Sequence, residues 1–345
     1  MMTTDDLFVA ACKIGRSAPE LADLLRRIYT SEDYSAWRGT LAERVPFRPA
    51  DKGEYAALEA AGLGRDGSLA VKINMMETRI FITDGVWTRP ENRVFPFCDE
   101  SATLLTQVRA RKLDEWADVV VDLATGCGHN IIAMKGDASK AGFDINPRAI
   151  VYAVMNRALN VQDGRDLVFC SNDIRDGIPK LFDPGAGTKV LFVANMPFAP
   201  APPRSEVPVT TNGGKSGIDL QLATFTAIRR FAKETGAQVR AVILGITAGN
   251  AADGVWDLAS EAQTHLGGDA AWNILSDEKI FRINGVRQIE NPSPVVPALR
   301  RFGSCRLYYD ADRVDTMSQQ FGEVGAELLR SGRPDLAYGV VDARL

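Results

Sequence analysis

Near the middle of the chain the apolar run at residues 190–194 ends in Asn195, Met196, Pro197 and Phe198. An amide, a proline and an aromatic ring in succession are a poor finish for a purely structural strand. The amide can donate and accept hydrogen bonds, the proline fixes φ, and the ring offers a flat apolar face. Three other apolar runs end with comparable promise. Asp122 leads into Leu123, Ala124, Thr125, Gly126, Cys127 and Gly128; Asp144 precedes Ile145; Asp173 precedes Ile174. Glycines at 126 and 128 let a ligand approach the backbone without a Cβ in the way. Asp144 follows Asp122 by 22 residues, and an acid about 20 residues past such a turn commonly accepts both hydroxyls of a ribose. Asp173 then falls where a third strand end would meet an adenine edge. Each residue has a plainer reading. Asp144 could cap a helix opening at Asn146 and Pro147, Asp173 could serve only its turn, and Asn195 could close an Asx turn. The ordered set of glycine turn, acid, acid and asparagine at four successive strand ends favours the ligand-binding reading.

These residues need a frame that brings strand ends together. From Asp118 onward the apolar runs "ADVVVDLATGCG", "SKAGFDINP", "DLVFCSND", "KVLFVANMPF" and "AQVRAVILGIT" are separated by helical stretches, of which "GIDLQLATFTAIRRFAKE" is the clearest. Apolar strands alternating with helices imply βαβ units and a parallel sheet buried on both faces. In such sheets ligands sit beyond the carboxyl ends of the strands. Beyond residue 270, "AWNILSDEKIFRI" and "SCRLYYDAD" read as two strands, an antiparallel pair closing the sheet, and the last thirty residues show no clear element. Ahead of the sheet, the first sixty residues read as short helices, with Leu21, Leu24, Leu25 and Ile28 on one face and Trp37 and Leu41 on another. "LAVKINMMETRIFITDG" alternates as a β-hairpin around Met75 to Thr78, and "DESATLLTQVRARKL" returns to helix.

Composition narrows the classes. The 345 residues are 46% hydrophobic and 24% charged, enough apolar mass for a real core. A formal charge of −4 with a pI near 5.5 provides no broad basic surface and weighs against nucleic acid as partner. Cys12, Cys98, Cys127, Cys170 and Cys305 are scattered without a CxxC pair, which suits a reducing compartment. Two histidines, His129 and His265, make a His-based metal centre unexpected. Acids stand where a signal peptide would carry bases, and no run approaches about 18 apolar residues. The expectation is a cytoplasmic protein with no membrane association.

The segments "DLATGCG" at 122–128, "GFDINPRAI" at 142–150, "SND" at 171–173 and "NMPF" at 195–198 together resemble a class I S-adenosylmethionine-dependent methyltransferase over roughly residues 95 to 250. Within that superfamily the chain is most similar to N-methyltransferases whose fourth motif reads Asn-Pro-Pro-Tyr/Phe, such as the release-factor glutamine methyltransferases. "FDINPRAIVYAVMNRALN" and "GGKSGIDLQLA" extend the similarity. Ala124 stands where the usual GxGxG has its first glycine, and Met196 where the fourth motif has its first proline. The latter variant resembles the Asn-Leu/Ile-Pro-Tyr/Phe of rRNA adenine dimethyltransferases, whose first motif differs from this one.

The resemblance implies a doubly wound, mostly parallel, seven-stranded Rossmann-like sheet at residues 101–345. A helical region with a hairpin at 1–100 would recognise the acceptor or act as a lid. It implies S-adenosyl-L-methionine held by Asp122, Ala124, Thr125, Gly126, Gly128, Asp144, Ile145, Asp173, Ile174 and Asn195, with Asn195, Met196, Pro197 and Phe198 catalytic. A planar nitrogen is a poor nucleophile because its lone pair is delocalised. Asn195 Oδ1 and the Met196 carbonyl would accept its two N–H groups and aim it, Pro197 would fix that carbonyl, and Phe198 would stack on the acceptor. The acceptor would be a protein side chain such as glutamine, or a small molecule, with a nucleobase the weaker alternative. Two other readings stay open: cyclisation of the cofactor's aminobutyrate arm to azetidine-2-carboxylate with release of methylthioadenosine, and a non-catalytic cofactor-binding module. "GGKSG" at 213–217 reads as a mobile substrate loop, His129 as a cap or cofactor contact, and Phe95 and Phe97 as possible walls of the cofactor site.

Overall fold

The computed structural model describes residues 2–38, 45–85, 87–88, 92–95, 99–161, 166–198, 210, 212–214, 216–267, 269–275, 280–284, 288–289 and 327–345. Helix α1 (Thr4–Thr30) opens on a capping box. The Thr3 hydroxyl accepts the Asp6 N–H at 3.1 Å and the Asp6 carboxylate accepts the Thr3 N–H at 2.8 Å. The helix bends at Ser17 (φ −134°), two residues before Pro19, whose missing N–H and bulky ring disturb the preceding turn. One long bent helix therefore stands where shorter ones were expected. After α2 (Glu32–Arg38), α3 (Lys52–Ala60) and the small ribbon β1 (Gly64–Arg65) and β2 (Ser68–Leu69) comes the expected hairpin. Its strands β3 (Lys72–Met76) and β4 (Arg79–Thr83) pair Met76 with Arg79 across the turn.

Next come α4 (Asp99–Ala110), α5 (Leu113–Trp116), β5 (Val119–Asp122), α6 (His129–Ala133), β6 (Ser139–Asp144), α7 (Pro147–Asn160), β7 (Leu167–Ser171), β8 (Lys189–Asn195), α8 (Asp219–Thr235) and β9 (Gln238–Asn250). Strands β7, β6, β5, β8 and β9 are parallel neighbours in that order. The remaining elements are β10 (Val255–Trp256), α9 (Asp257–Leu266), β11 (Asp269–Ile274), β12 (Ile280–Asn284), β13 (Gln288–Ile289) and β14 (Asp335–Arg344). Strand β14 runs antiparallel along β9, and β11 and β12 lie end to end along its far edge. Taken as one broken strand, those two complete the expected seven rungs, with β10 and β13 as short additions.

The closing strands differ from expectation in one respect. "AWNILSDEKIFRI" contributes β11 and β12, but their partner is β14 from the last thirty residues; residues 304–312 lie outside the described residues. Nearly all of β14 is buried on both faces, so it lacks the alternation that marks a half-exposed strand. Gly339 interrupts it because a Cβ there would lie 2.7 Å from the Trp272 ring and 2.4 Å from the Asn273 carbonyl of β11.

One face of the sheet packs Val119, Val121, Phe192 and Ile243 against α8 and α9. The other packs Val120, Leu191, Leu244 and Val340 against Leu104, Leu105 and Val108 of α4. A third core joins Leu7, Ile14, Leu25, Ile73, Ile80 and Ile82 to Tyr152, Met155 and Leu159 of α7. The N-terminal hundred residues thus share their core with the helix that follows β6.

That shared seam is also polar. Asn160 Oδ1 accepts the Ile80 N–H at 3.0 Å and its Nδ2 donates to the Ile80 carbonyl at 2.6 Å. One turn earlier, Asn156 Oδ1 accepts the Ile82 N–H at 2.8 Å and its Nδ2 donates to the Ile82 carbonyl at 3.0 Å. A further turn back, the Tyr152 hydroxyl donates to Asp84 at 2.9 Å, beside an Arg148–Asp84 ion pair closed by both Nε and a second guanidinium nitrogen. Four helical residues rise about 6 Å and two strand residues span about 6.8 Å. Every fourth residue of α7 can therefore meet every second residue along β4 and its continuation to Asp84.

Candidate functional site

The strand order reverses between β5 and β8, and the site residues gather at that switch point. Asp122 pairs with Gly142 on one side and Val193 on the other. Asp144 and Asn195 each stand two residues further along, so they are level across β5. Two strand spacings separate them by about 10 Å, and residues 123–128 rise between. Ser171 is level with Asp144, placing Asp173 two residues beyond.

Each residue of the glycine turn is held. The Thr125 N–H donates to the Phe143 carbonyl at 2.9 Å and the Gly128 N–H to the Thr125 carbonyl at 2.8 Å. Gly126 (φ +53°) and Gly128 (φ +80°) adopt left-handed conformations that side chains disfavour. At Gly128 a Cβ would also press on Ala153, Phe169 and Ile132. The Gly126 N–H donates to Asp144 Oδ2 at 2.9 Å, and the Asn146 N–H donates to Asp144 Oδ1 at 2.9 Å. Helix α7 is capped by Asn146, with Pro147 at its first position, so the capping role weighed for Asp144 belongs to its neighbour. Asp144 instead links β6 to the glycine turn. Beside it, Ile145 leaves 46% of its surface exposed, an apolar residue held at the sheet edge.

The two acids share an electrostatic setting. Burial pushes the Asp122 carboxyl up to about 7, with Asp144 adding repulsion and the Thr125 hydroxyl and Ala124 N–H opposing it. Burial also raises Asp144, against the pull of the Asn146 and Gly126 N–H groups. A cationic ligand would favour both ionised forms. Asp122 is 1% exposed, so its reach to a ligand is through its field and the turn above it. Thr125 is equally buried, and Ala124 is partly exposed.

Asp173 and Ile174 follow the end of β7, as expected of a third strand end. Asp173 caps a 3-10 turn over Ile174–Asp176 and holds Arg175 through both carboxylate oxygens, which keeps its carboxyl below the usual range. The plain turn reading thus describes Asp173 in this structure. Ile174 packs into the sheet core. His129 is likewise turned inward: its Nδ1 lies 3.3 Å from Cys127 Sγ and its ring meets Phe81 edge-on. Burial lowers its pKa to about 3 and raises Cys127 to about 12, so His129 is a neutral core residue.

On the other side of the switch point, Asn195 ends β8 and Met196 is buried in the core that also holds Ile218 and Phe225. Phe198 packs edge-to-face on Tyr338, ring centres 5.8 Å apart at 63°. Tyr338 belongs to β14, the strand that carried no sequence signal, so nothing marked it as a support for the motif. The "GGKSG" stretch is a brace in its described residues. The Asp219 N–H donates to the Gly213 carbonyl and the Gly217 N–H to that of Gly214. A Cβ on Gly213 would lie 2.7 Å from Phe198 Cα. The sequence reading of this stretch as a mobile substrate loop did not anticipate the contact with Phe198. Gln221 is a further residue that the sequence left unmarked. It is 0% exposed beside Gly245, one residue past the β9 partner of Asn195, and neither amide atom has a hydrogen-bond partner among the described residues. Phe95 is half-buried, while Phe97 lies outside the described residues.

No family model matches the chain, and no curated protein matches it. Among solved structures it is similar to a Galdieria sulphuraria protein named as a sarcosine dimethylglycine methyltransferase. The identity is 13%, 71% of this chain and 83% of that one are covered, and the TM-score is 0.40. It is also similar to the [4+2]-cyclase SpnF (12%, 70% and 79%, TM-score 0.39). A third likeness is to Pyrococcus horikoshii TYW2 in complex with MeSAdo (14%, 81% and 72%, TM-score 0.38). With TM-scores below 0.5 these likenesses carry no weight for activity, which rests on the residues themselves. Among the described residues no helix is long and apolar enough to cross a membrane.

Proposed function

We propose that the chain binds S-adenosyl-L-methionine at the β5–β6 edge and transfers its methyl group to the nitrogen of a planar amide or amino group held by residues 195–198. The observation that carries this reading is the level placement of Asp144 and Asn195 on either side of the glycine turn, at the switch point in strand order. The donor set suits the cofactor. Asp144 retains lone pairs for ribose hydroxyls beyond the two amides it accepts, and exposed Ile145 offers an apolar face for adenine. Gly126 and Gly128 admit close approach, and the field of Asp122 favours a cation. When bound, the cofactor supplies a methyl on a sulfonium, so no strong general base is needed.

The chain's own residues then aim the acceptor. Asn195 Oδ1 and the Met196 carbonyl accept the two N–H groups and stabilise the charge that grows on nitrogen. Pro197 fixes the direction of that carbonyl, and burial of the Met196 side chain anchors it from below. Phe198, held by Tyr338 and Gly213, presents a flat face to the acceptor. The acidic balance of the chain favours a protein side chain or a small molecule over a nucleobase. A cytoplasmic setting is part of the same proposal.

The test is mass spectrometry of the full chain incubated with S-adenosylmethionine alone, then with glutamine-bearing proteins and small planar amines. We expect intact cofactor without acceptor, and S-adenosylhomocysteine with a mass gain of one or more methyls when the acceptor is present. Catalytic release of methylthioadenosine in the first incubation would replace methyl transfer with the cyclising reaction.

A further inference from the structure

The N-terminal hairpin and the glycine turn share one side chain. Asn156 is fully buried near the middle of α7. Besides its two bonds to Ile82, its Nδ2 donates to the Cys127 carbonyl at 2.9 Å. Both Nδ2 hydrogens and one Oδ1 lone pair are thereby committed to two separate backbones. Reversing the amide would set Nδ2 against the Ile82 N–H, so only one orientation satisfies the set. Cys127 lies between the two left-handed glycines. The turn is therefore pinned from opposite sides, by Asp144 at the Gly126 N–H and by Asn156 at the Cys127 carbonyl.

We infer that Asn156 is a positioning residue for the cofactor turn, and that through it strand β4 is a working part of the cofactor site. The inference rests on the proposed function for the identity of the ligand. Its physical content is that a glycine turn has soft backbone torsions, and a fixed carbonyl removes that freedom before the ligand arrives. Displacing β4 would move the Ile82 end of the Asn156 amide and release the Cys127 end with it.

The molecule supplies its own control. Asn160, one turn on, makes the same pair of bonds to Ile80, but its remaining donation goes to the Asn156 carbonyl at 2.8 Å, within its own helix. The two asparagines thus hold the hairpin alike, and only one reaches the turn.

The experiment compares the full-length wild type with Asn156→Ala, Asn156→Asp and Asn160→Ala. It measures urea stability, S-adenosylmethionine binding by calorimetry, and amide hydrogen exchange of peptides covering residues 123–130. Asn156→Asp keeps an acceptor for the Ile82 N–H but loses both donations, and it guards against an alanine variant that fails to fold. Both alanine variants should lose stability to a similar extent. Only the Asn156 variants should bind the cofactor about tenfold more weakly, the loss of roughly one net hydrogen bond. In turnover the loss should appear in KM for the cofactor, with kcat at saturation little changed. Exchange at 123–130 should quicken in the Asn156 variants and stay at the wild-type rate in Asn160→Ala. Cofactor affinity and exchange equal in Asn156→Asp and Asn160→Ala would overturn the inference. A wild type that binds no S-adenosylmethionine would overturn the proposed function instead, and the exchange comparison would still decide whether Asn156 positions the turn.

Discussion

Two sets of buried acids show how differently one chain uses the same group. At the seam between the N-terminal region and α7, Asp84 is enclosed by the Arg148 guanidinium, the Tyr152 hydroxyl and the Val94 N–H at 2.8 Å. At the sheet edge, burial raises both Asp122 and Asp144, and Asp144 adds repulsion at Asp122; their partners are backbone amides and one hydroxyl, with no cation beside them among the described residues. Asp84 is saturated and fixes architecture. The edge pair has no such cationic partner among the described residues, an arrangement that a stable core avoids.

Each region can be perturbed on its own. The largest effect should come from Asp84→Ala, which strands the Arg148 charge in the seam; such losses run to about 3–5 kcal/mol, readable by urea denaturation. A loss below about 1 kcal/mol would mean that the ion pair contributes little and apolar packing alone holds the seam. Next is Asn195→Ala, expected to cut methyl transfer about 100- to 1,000-fold while cofactor binding and stability stay near wild type. Full activity in that variant would remove the mechanism proposed for residues 195–198 and leave the fold untouched.

A pH dependence separates the two regions more finely. Asp122 has its folded pKa raised to about 7 from 3.8, so the folded state holds the proton more tightly than the unfolded chain. Its contribution is complete below about pH 4 and is lost as pH climbs towards 7, so stability should fall with rising pH over that window. Asp122→Asn should flatten the slope, and saturating cofactor should reduce it by favouring the ionised form. A slope unchanged in Asp122→Asn would assign it to another group. The smallest effect is expected from Tyr338→Leu. Losing the edge-to-face contact with Phe198 should cost about 1 kcal/mol, seen as a severalfold rise in KM for the acceptor with cofactor affinity unchanged.

The sequence showed the parallel half of the fold well because each strand there is a short apolar run ending in a polar or glycine signal. Asp144 and Asn195 stand at strand ends, as the same pattern implied. Strand β14 escaped because a strand buried on both faces carries no period, and Gly339 breaks its apolar run. Tyr338 and its service to Phe198 were lost with it. Asp173 and His129 show contacts that the sequence did not reveal. Their positions after strand ends matched a pattern, but Arg175 and the Phe81 side of the core claim their side chains. Asn156 stood in view within "VMNRALN", and only the fold could reveal that its amide faces two backbones at once.

The seam between α7 and β4 works like two rulers with nearly equal graduations. Each step of four residues along the helix falls short of two strand residues by about 0.8 Å and swings about 40° around the helix axis. Residues 152, 156 and 160 therefore accumulate about 1.6 Å and 80° between the first rung and the last, within the reach of tyrosine and asparagine side chains and the twist of a strand. A fourth rung would point away from the hairpin. The grip is thus self-limiting in length: lengthening α7 or β4 would add chain without adding hold, and any variant of this architecture has only about three places at which that strand can be fastened.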